Sequence, residues 1–225
     1  MNSRKNSSSS VKDGIDYEVL KSLPVSYHLI LIKIYNEMIN ENDYSTTWID
    51  TYIHFIPKLN GTGARPIALT SSLCKIFEII ITKRIQVWLE GNKLIPETQA
   101  GFRKGKSCAD NLATLFLEVK NSFSENKDVV AAFIDVKSTF SSVKNDILLQ
   151  KFSEVGCPIK IIRFFRFLIY QRNIFSEVSN DLPRKIYKGV LQGGSSSAIP
   201  YIFYVSKITL NLHQQVSVLQ FANLE

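Results

Sequence analysis

Cysteine and histidine are scarce in this 225-residue chain, with three of each. Cys74, Cys108 and Cys157 stand far apart and match no zinc spacing. His28, His54 and His213 are equally scattered, which argues against a histidine-built metal centre. The thiols read as reduced, buried side chains of an intracellular protein. Long apolar runs are also missing. Nothing approaches the roughly 18 residues that a membrane-crossing helix needs, and Ile161–Tyr170 is broken by Arg163 and Arg166. The start of the chain, Met1 to Ser10, has no apolar centre and carries a run of serines. It is therefore not a secretory signal; residues 1–16 read as a flexible tail. Nucleus or cytoplasm is the expected location. No internal repeat is visible.

What is present can fold. With 45% hydrophobic and 21% charged residues the chain can bury a core, in one domain or two joined subdomains. The net charge is +7 and unevenly placed: residues 1–50 carry −2, residues 51–225 carry +9. A basic body suggests a polyanionic partner, although many soluble proteins are merely cationic.

Periodicity gives an outline. Tyr17–Asn40 has mixed helical spacing, with Leu29, Ile32, Tyr35 and Ile39 on one face. Tyr52–Pro57 alternates, Gly61-Thr62-Gly63 marks a turn, and Arg65–Leu69 resumes an extended run. Together these predict a β-hairpin with Lys58 and Arg65 near its tip. Thr70-Ser71-Ser72 can cap a helix over Leu73–Leu89, stopped by Gly91. Ser107 with Asp110 resembles a capping box before the stripe Leu112, Leu115, Phe116, Val119, Phe123. Val129–Val136 is a continuous apolar run interrupted by Asp135, the pattern of a buried central strand. Asn145–Val155 and Ile161–Tyr170 read as helices; Ile174–Val178, Lys185–Lys188 and Val216–Phe221 read as short strands. Helices and strands mix without strict alternation, so the expected class is α+β.

A carboxylate inside an apolar strand is costly unless it is paired, hydrogen-bonded or metal-bound. Asp135 in Phe133-Ile134-Asp135 therefore asks for a partner, or else it sits at a strand end facing solvent. The surrounding blocks bear on that choice. They are Ile56-Pro57-Lys58 with Arg65-Pro66-Ile67, then Lys75-Ile76-Phe77-Glu78 with Lys83-Arg84-Ile85. Gln99-Ala100-Gly101-Phe102-Arg103 through Ser107 and Asp110 follows, then Phe133-Ile134-Asp135 with Phe140. Gly189-Val190-Leu191-Gln192-Gly193 and Phe221-Ala222 complete the series. Each block alone is weak. In this order, from about Leu31 to Glu225, the chain resembles the fingers and palm of a reverse transcriptase of a non-LTR, jockey-like retrotransposon.

The resemblance implies a fold and a set of roles. The fold would be fingers (about 17–125) and palm (about 126–225), with an antiparallel palm sheet packed on helices. Lys58 and Arg65 would clamp a nucleotide triphosphate, Arg bidentately and Lys as a point charge. Gln99, Phe102 and Arg103 would lie along the template, by stacking and phosphate contact. Asp135 would hold Mg2+ at the primer terminus. Phe140 would pack beneath the sugar and reject a 2′-hydroxyl; it is equally good as a core residue. Gln192 and Gly193 would let the backbone approach the nucleotide. The partners implied are RNA and DNA as template and primer.

The departures are as informative. Where the family carries Phe/Tyr-Ala-Asp-Asp, this chain has Phe221-Ala222-Asn223-Leu224. Two-metal phosphoryl transfer needs several anionic oxygens; Asn223 offers a neutral carbonyl and Leu224 nothing. Glu225 lies past the turn and is not expected to replace them. The family's second aspartate in Ala-Phe-Asp is Ser141, preceded by Thr139, and its Pro before Gln-Gly is Leu191. Its Ser-Pro is Ser197-Ala198, and Pro200 would cost about 3 kcal/mol inside a helix. The thumb and the strand returning from Phe221-Ala222 are expected to be missing, as are endonuclease and RNase H regions. The sequence thus predicts a degenerate polymerase copy. Two alternatives stay open: a non-catalytic RNA- or DNA-binding module using Lys58, Arg65, Arg103, Lys104 and Lys106, or a non-functional pseudogene product.

Overall fold

The computed structural model describes residues 14–57, 61, 63–136, 139–176, 182–185, 188–190, 196–208 and 216–221. Helices α1 (Tyr17–Ser22) and α2 (Val25–Glu41) open the fold, separated at Pro24, whose ring ends one helix and begins the next. Sequence periodicity had them as one unit. A short 3-10 turn, Thr46–Ile49, then leads into the hairpin of β1 (Asp50–Pro57) and β2 (Ala64–Leu69). The hairpin is antiparallel, with Tyr52 opposite Leu69 and Ile56 opposite Arg65. Helices α3 (Ser72–Gly91), α4 (Cys108–Ser124), α5 (Asn145–Glu154) and α6 (Ile159–Tyr170) follow. Strands β3 (Asn173–Ser176) and β4 (Arg184–Lys185) precede α7 (Ala198–Val205).

The class is α+β, as expected. The described sheet has order β2-β1-β3-β4 and is mixed: β3 runs parallel to β1 and antiparallel to β4. It is built on the hairpin, not around Asp135.

One core holds these elements together. Phe77 of α3 is almost fully buried, within 5.0 Å of Tyr35 and Phe164 and 5.3 Å of Trp48, centroid to centroid. A phenylalanine buried so completely contributes roughly 1.5–3 kcal/mol, and edge contacts between rings add to that. Phe152 extends the same core, stacking on Phe165 at 5.7 Å and on Phe203 at 4.6 Å. Thus α3, α5, α6 and α7 share a single interior with the N-terminal helices.

Three expectations change. Val129–Val136 is neither a strand nor buried: it is exposed along its length and forms no ladder among the described residues. Among the described residues it has no neighbouring strand. Val216–Phe221, expected to lie beside it, forms only a parallel bridge from Gln220 to Gln99, with Gln220 N–H donating to Thr98 O and Ala100 N–H donating to Gln220 O. An apolar run states a need for burial but supplies no partner strand. Second, α4 has its capping box, with Asp110 Oδ2 accepting from Ser107 N–H at 2.6 Å, yet none of its residues is buried. Third, Pro200 is tolerated. It is the third residue of α7, where an N–H would have no acceptor within the helix, so the interior cost does not arise.

No described helix is long and apolar enough to cross a membrane. The thiols divide sharply: Cys108 is exposed at the start of α4, whereas Cys74 and Cys157 are buried. Burial raises both inner thiols, that of Cys157 to about 12. An aromatic disulfide reagent is therefore expected to titrate one thiol in the native protein and three after denaturation. A second fast native thiol would show that α3 or the turn before α6 opens readily.

Candidate functional site

Two of the quoted blocks meet. Phe140 sits in a turn after the Asp135 segment, and its carbonyl accepts the N–H of Val190 at 2.9 Å. Three residues on, the Val143 carbonyl accepts the N–H of Gly189 at 2.8 Å. This close crossing requires glycine: Gly189 has φ +90°, and a Cβ there would lie 2.9 Å from the Cα of Ser141. Local pattern around Gly189 does not name the segment it crosses. Its signal was available, because a glycine just before Gln192-Gly193 marks close backbone approach.

Phe140 is buried, with its ring 5.1 Å from Tyr201 of α7 and 6.5 Å, edge-on, from Phe102. Burial raises the Tyr201 phenol; the Thr139 hydroxyl opposes that, and the Asp135 carboxylate adds to it. Asp135, Thr139, Phe140 and Tyr201 thus share one neighbourhood, with Asp135 itself exposed. Tyr201 was missed in the sequence because an aromatic residue in an apolar helix looks like core, which it also is.

The block Gln99–Arg103 forms a compact turn. Phe102 adopts φ +57°, a left-handed conformation that costs a non-glycine residue about 1–2 kcal/mol. Arg103 holds it. The guanidinium donates from Nε to Glu90 Oε1 at 2.8 Å and from Nη2 to Glu90 Oε2 at 2.6 Å. Its Nη1 donates to the carbonyls of Pro96 at 2.9 Å and Gln99 at 3.1 Å. The Arg103 side chain is only 7% exposed. The hydrogen bond with Glu90 raises its affinity for the proton further, so it is always charged. In this arrangement the Arg103 donors are engaged inside the turn rather than directed at a template phosphate. Gln99 is buried as well, with its amide donating to Gly101 O at 3.2 Å. Lys106 Nζ pairs with the exposed Glu97 at 2.6 Å, and that hydrogen bond is the main cause of a lowered Glu97 carboxyl. Lys104 is exposed.

Arg65 is exposed on β2, across from Ile56. Lys58, Gln192, Gly193, Asn223, Leu224 and Glu225 lie outside the described residues. Among the described residues no group of three His, Cys, Asp or Glu side chains could hold a metal ion. Asp135 therefore belongs to no such group among the described residues, and the sequence places amide and alkyl side chains at Asn223 and Leu224. A single carboxylate does not by itself make a site for a pair of divalent metal ions.

Comparison with known proteins gives a consistent picture. The family model described as reverse transcriptase (RNA-dependent DNA polymerase) matches residues 56–223. A probable RNA-directed DNA polymerase from transposon BS of Drosophila melanogaster is 28% identical over 87% of this chain and 22% of its own length. A probable RNA-directed DNA polymerase from transposon X-element of the same organism is 26% identical over 58% of this chain and 15% of its own length. The chain thus spans about a fifth or less of these curated relatives. A solved structure of apo telomerase from Candida tropicalis, truncated from its C-terminal domain, superposes with TM-score 0.51. That match has 18% identity and covers 80% of this chain and 44% of that one, a likeness of fold alone.

Proposed function

The chain belongs to the reverse transcriptase (RNA-dependent DNA polymerase) family, and on that premise we propose that it derives from a non-LTR, jockey-like mobile element and has lost polymerisation in this copy. The observation that carries the ancestry is the crossing of two blocks distant in sequence. Gly189-Val190 hydrogen-bonds to Phe140 and Val143, so the start of the second block lies directly against the end of the first. In that reading Phe140 meets the sugar of a nucleotide, Gln192-Gly193 its base or template, and Lys58 with Arg65 its phosphates. The proposed loss rests on the donor set. Reverse transcriptases generally use divalent metal ions, and metal-assisted transfer needs anionic oxygens on both sides of the ion pair. Here Asp135 supplies one carboxylate, while Asn223 and Leu224 supply none.

The expected result is no Mg2+-dependent extension of a primed RNA template above a no-enzyme control. Incorporation that disappears on Asp135→Ala would overturn the proposed loss and show that another group completes the metal site.

Retained binding without catalysis is the second reading, supported by the +9 charge of residues 51–225 and by the exposure of Arg65 and Lys104. Its partner would be RNA or DNA, met inside the cell.

A further inference from the structure

A small cleft opens between α6 and the start of α7. Phe165, Leu168 and Ile169 give it an apolar wall; Arg172, Ser196 and Ser197 give it a polar one. Arg172 is 8% exposed, and its partners do not exhaust it. Its Nη2 lies 3.4 Å from Glu78 Oε1, a long contact, and its Nε is buried with no hydrogen-bond partner. A guanidinium carries five N–H donors in a fixed plane, and an unmet buried donor costs about 1–3 kcal/mol.

A second, independent set of donors points to the same place. Ser197 is the N-cap of α7, yet its side chain makes no capping bond. Ser196 and Ser197 are both buried, and both line the cleft. The buried guanidinium and the two serines together form the polar side of the cleft. The carboxylate facing Arg172 is Glu78, one of whose oxygens is itself buried without a partner.

We propose that this cleft binds a phosphate group, with Arg172 donating through its unused N–H groups and the Ser196 and Ser197 hydroxyls donating to further oxygens. A nucleic-acid backbone and a free nucleotide both present that chemistry. The cleft is edged by Gly189 and Val190, the residues that hydrogen-bond to Val143 and Phe140, so a phosphate here would sit one backbone layer from Phe140. Assigning the phosphate to a nucleic-acid strand rests on the proposed ancestry; the binding itself does not. Glu78 offsets part of the Arg172 charge, so binding is expected in the millimolar range.

The test is 15N NMR of arginine Nε groups in the full chain, titrated with inorganic phosphate. The Arg172 signal is assigned by its loss in the paired variant Glu78→Gln/Arg172→Gln, which leaves no lone buried charge. That signal is expected to shift and saturate. Ser197→Asp places a carboxylate at the N-cap, a residue that helix starts favour, and should weaken phosphate binding by about tenfold or more. An Arg172 signal that phosphate does not move, or a shift that Ser197→Asp leaves intact, would overturn the proposal. Short single-stranded DNA and a deoxynucleoside triphosphate then compete against phosphate, and the better competitor identifies the source. Phosphate binding with no oligonucleotide binding would uphold the cleft and count against the nucleic-acid reading. Oligonucleotide binding that never displaces phosphate from Arg172 would sink the strand assignment alone.

Discussion

Arg103→Ala is expected to destabilise the folded chain by about 3 kcal/mol, near the lower end for breaking one partner of a buried ion pair. The side chain does several things at once. It pairs bidentately with Glu90 at the end of α3, and it satisfies the carbonyls of Pro96 and Gln99, closing the turn that carries Phe102. Without it, Glu90 keeps a partly buried carboxylate with no cation, and the left-handed Phe102 loses the contacts that offset its strain. Arg103→Lys should rescue little, because an ammonium cannot span both carboxylate oxygens and two carbonyls in one plane. Lys104→Gln, one residue on and exposed, supplies the contrast. It should change stability by less than about 0.5 kcal/mol while lowering the log–log salt slope of oligonucleotide binding by about one unit. Denaturant unfolding and salt-dependent titration of both variants decide between them. If Arg103→Ala kept full stability and flattened the salt slope, the arginine would return to the template.

That outcome bears on what a sequence can say. Features encoded over a few residues were legible: the hairpin around Gly61 and Gly63, the Ser107–Asp110 capping box, and α3 with Phe77 inward. So was the family order of the blocks, which the match over residues 56–223 agrees with. What stayed hidden depends on pairs far apart in the chain. Nothing near Arg103 announces Glu90, 13 positions away, as its partner. A lone arginine after an apolar helix does not point to Glu78, 94 positions away, although both are buried together. A basic residue in a family motif looks solvent-facing until its acceptors are placed. The site divides likewise: Phe140 and Asp135 could be named from local pattern, whereas the contact of Phe140 with Tyr201 and its crossing by Gly189 required the fold.

Hydrogen exchange should show the widest contrast in the molecule, between α3 and Val129–Val136. Amides in the middle of α3 are hydrogen-bonded within a helix whose Phe77, Ile81 and Ile85 are almost fully buried. They should open only with the whole domain. For a stability of about 5 kcal/mol or more, their exchange slows by a factor on the order of 10³ or more. Val129–Val136 has no such shelter: Val130 is 95% exposed, Phe133 86% and Ile134 89%, in backbone that forms no ladder among the described residues. Its amides should exchange at nearly the free-chain rate. The contrast also bears on the polymerase site, because a metal-binding aspartate must be held within fractions of an ångström to serve. Asp135 lies on a segment that forms no ladder among the described residues, which does not supply that rigidity. Protection of Val129–Val136 equal to that of α3, at every protein concentration, would mean that a neighbouring strand pairs with it and that a palm sheet forms around Asp135 after all. Protection that grows with concentration would mean that the strand is supplied by a second copy, the response expected of an apolar segment with open backbone donors and acceptors.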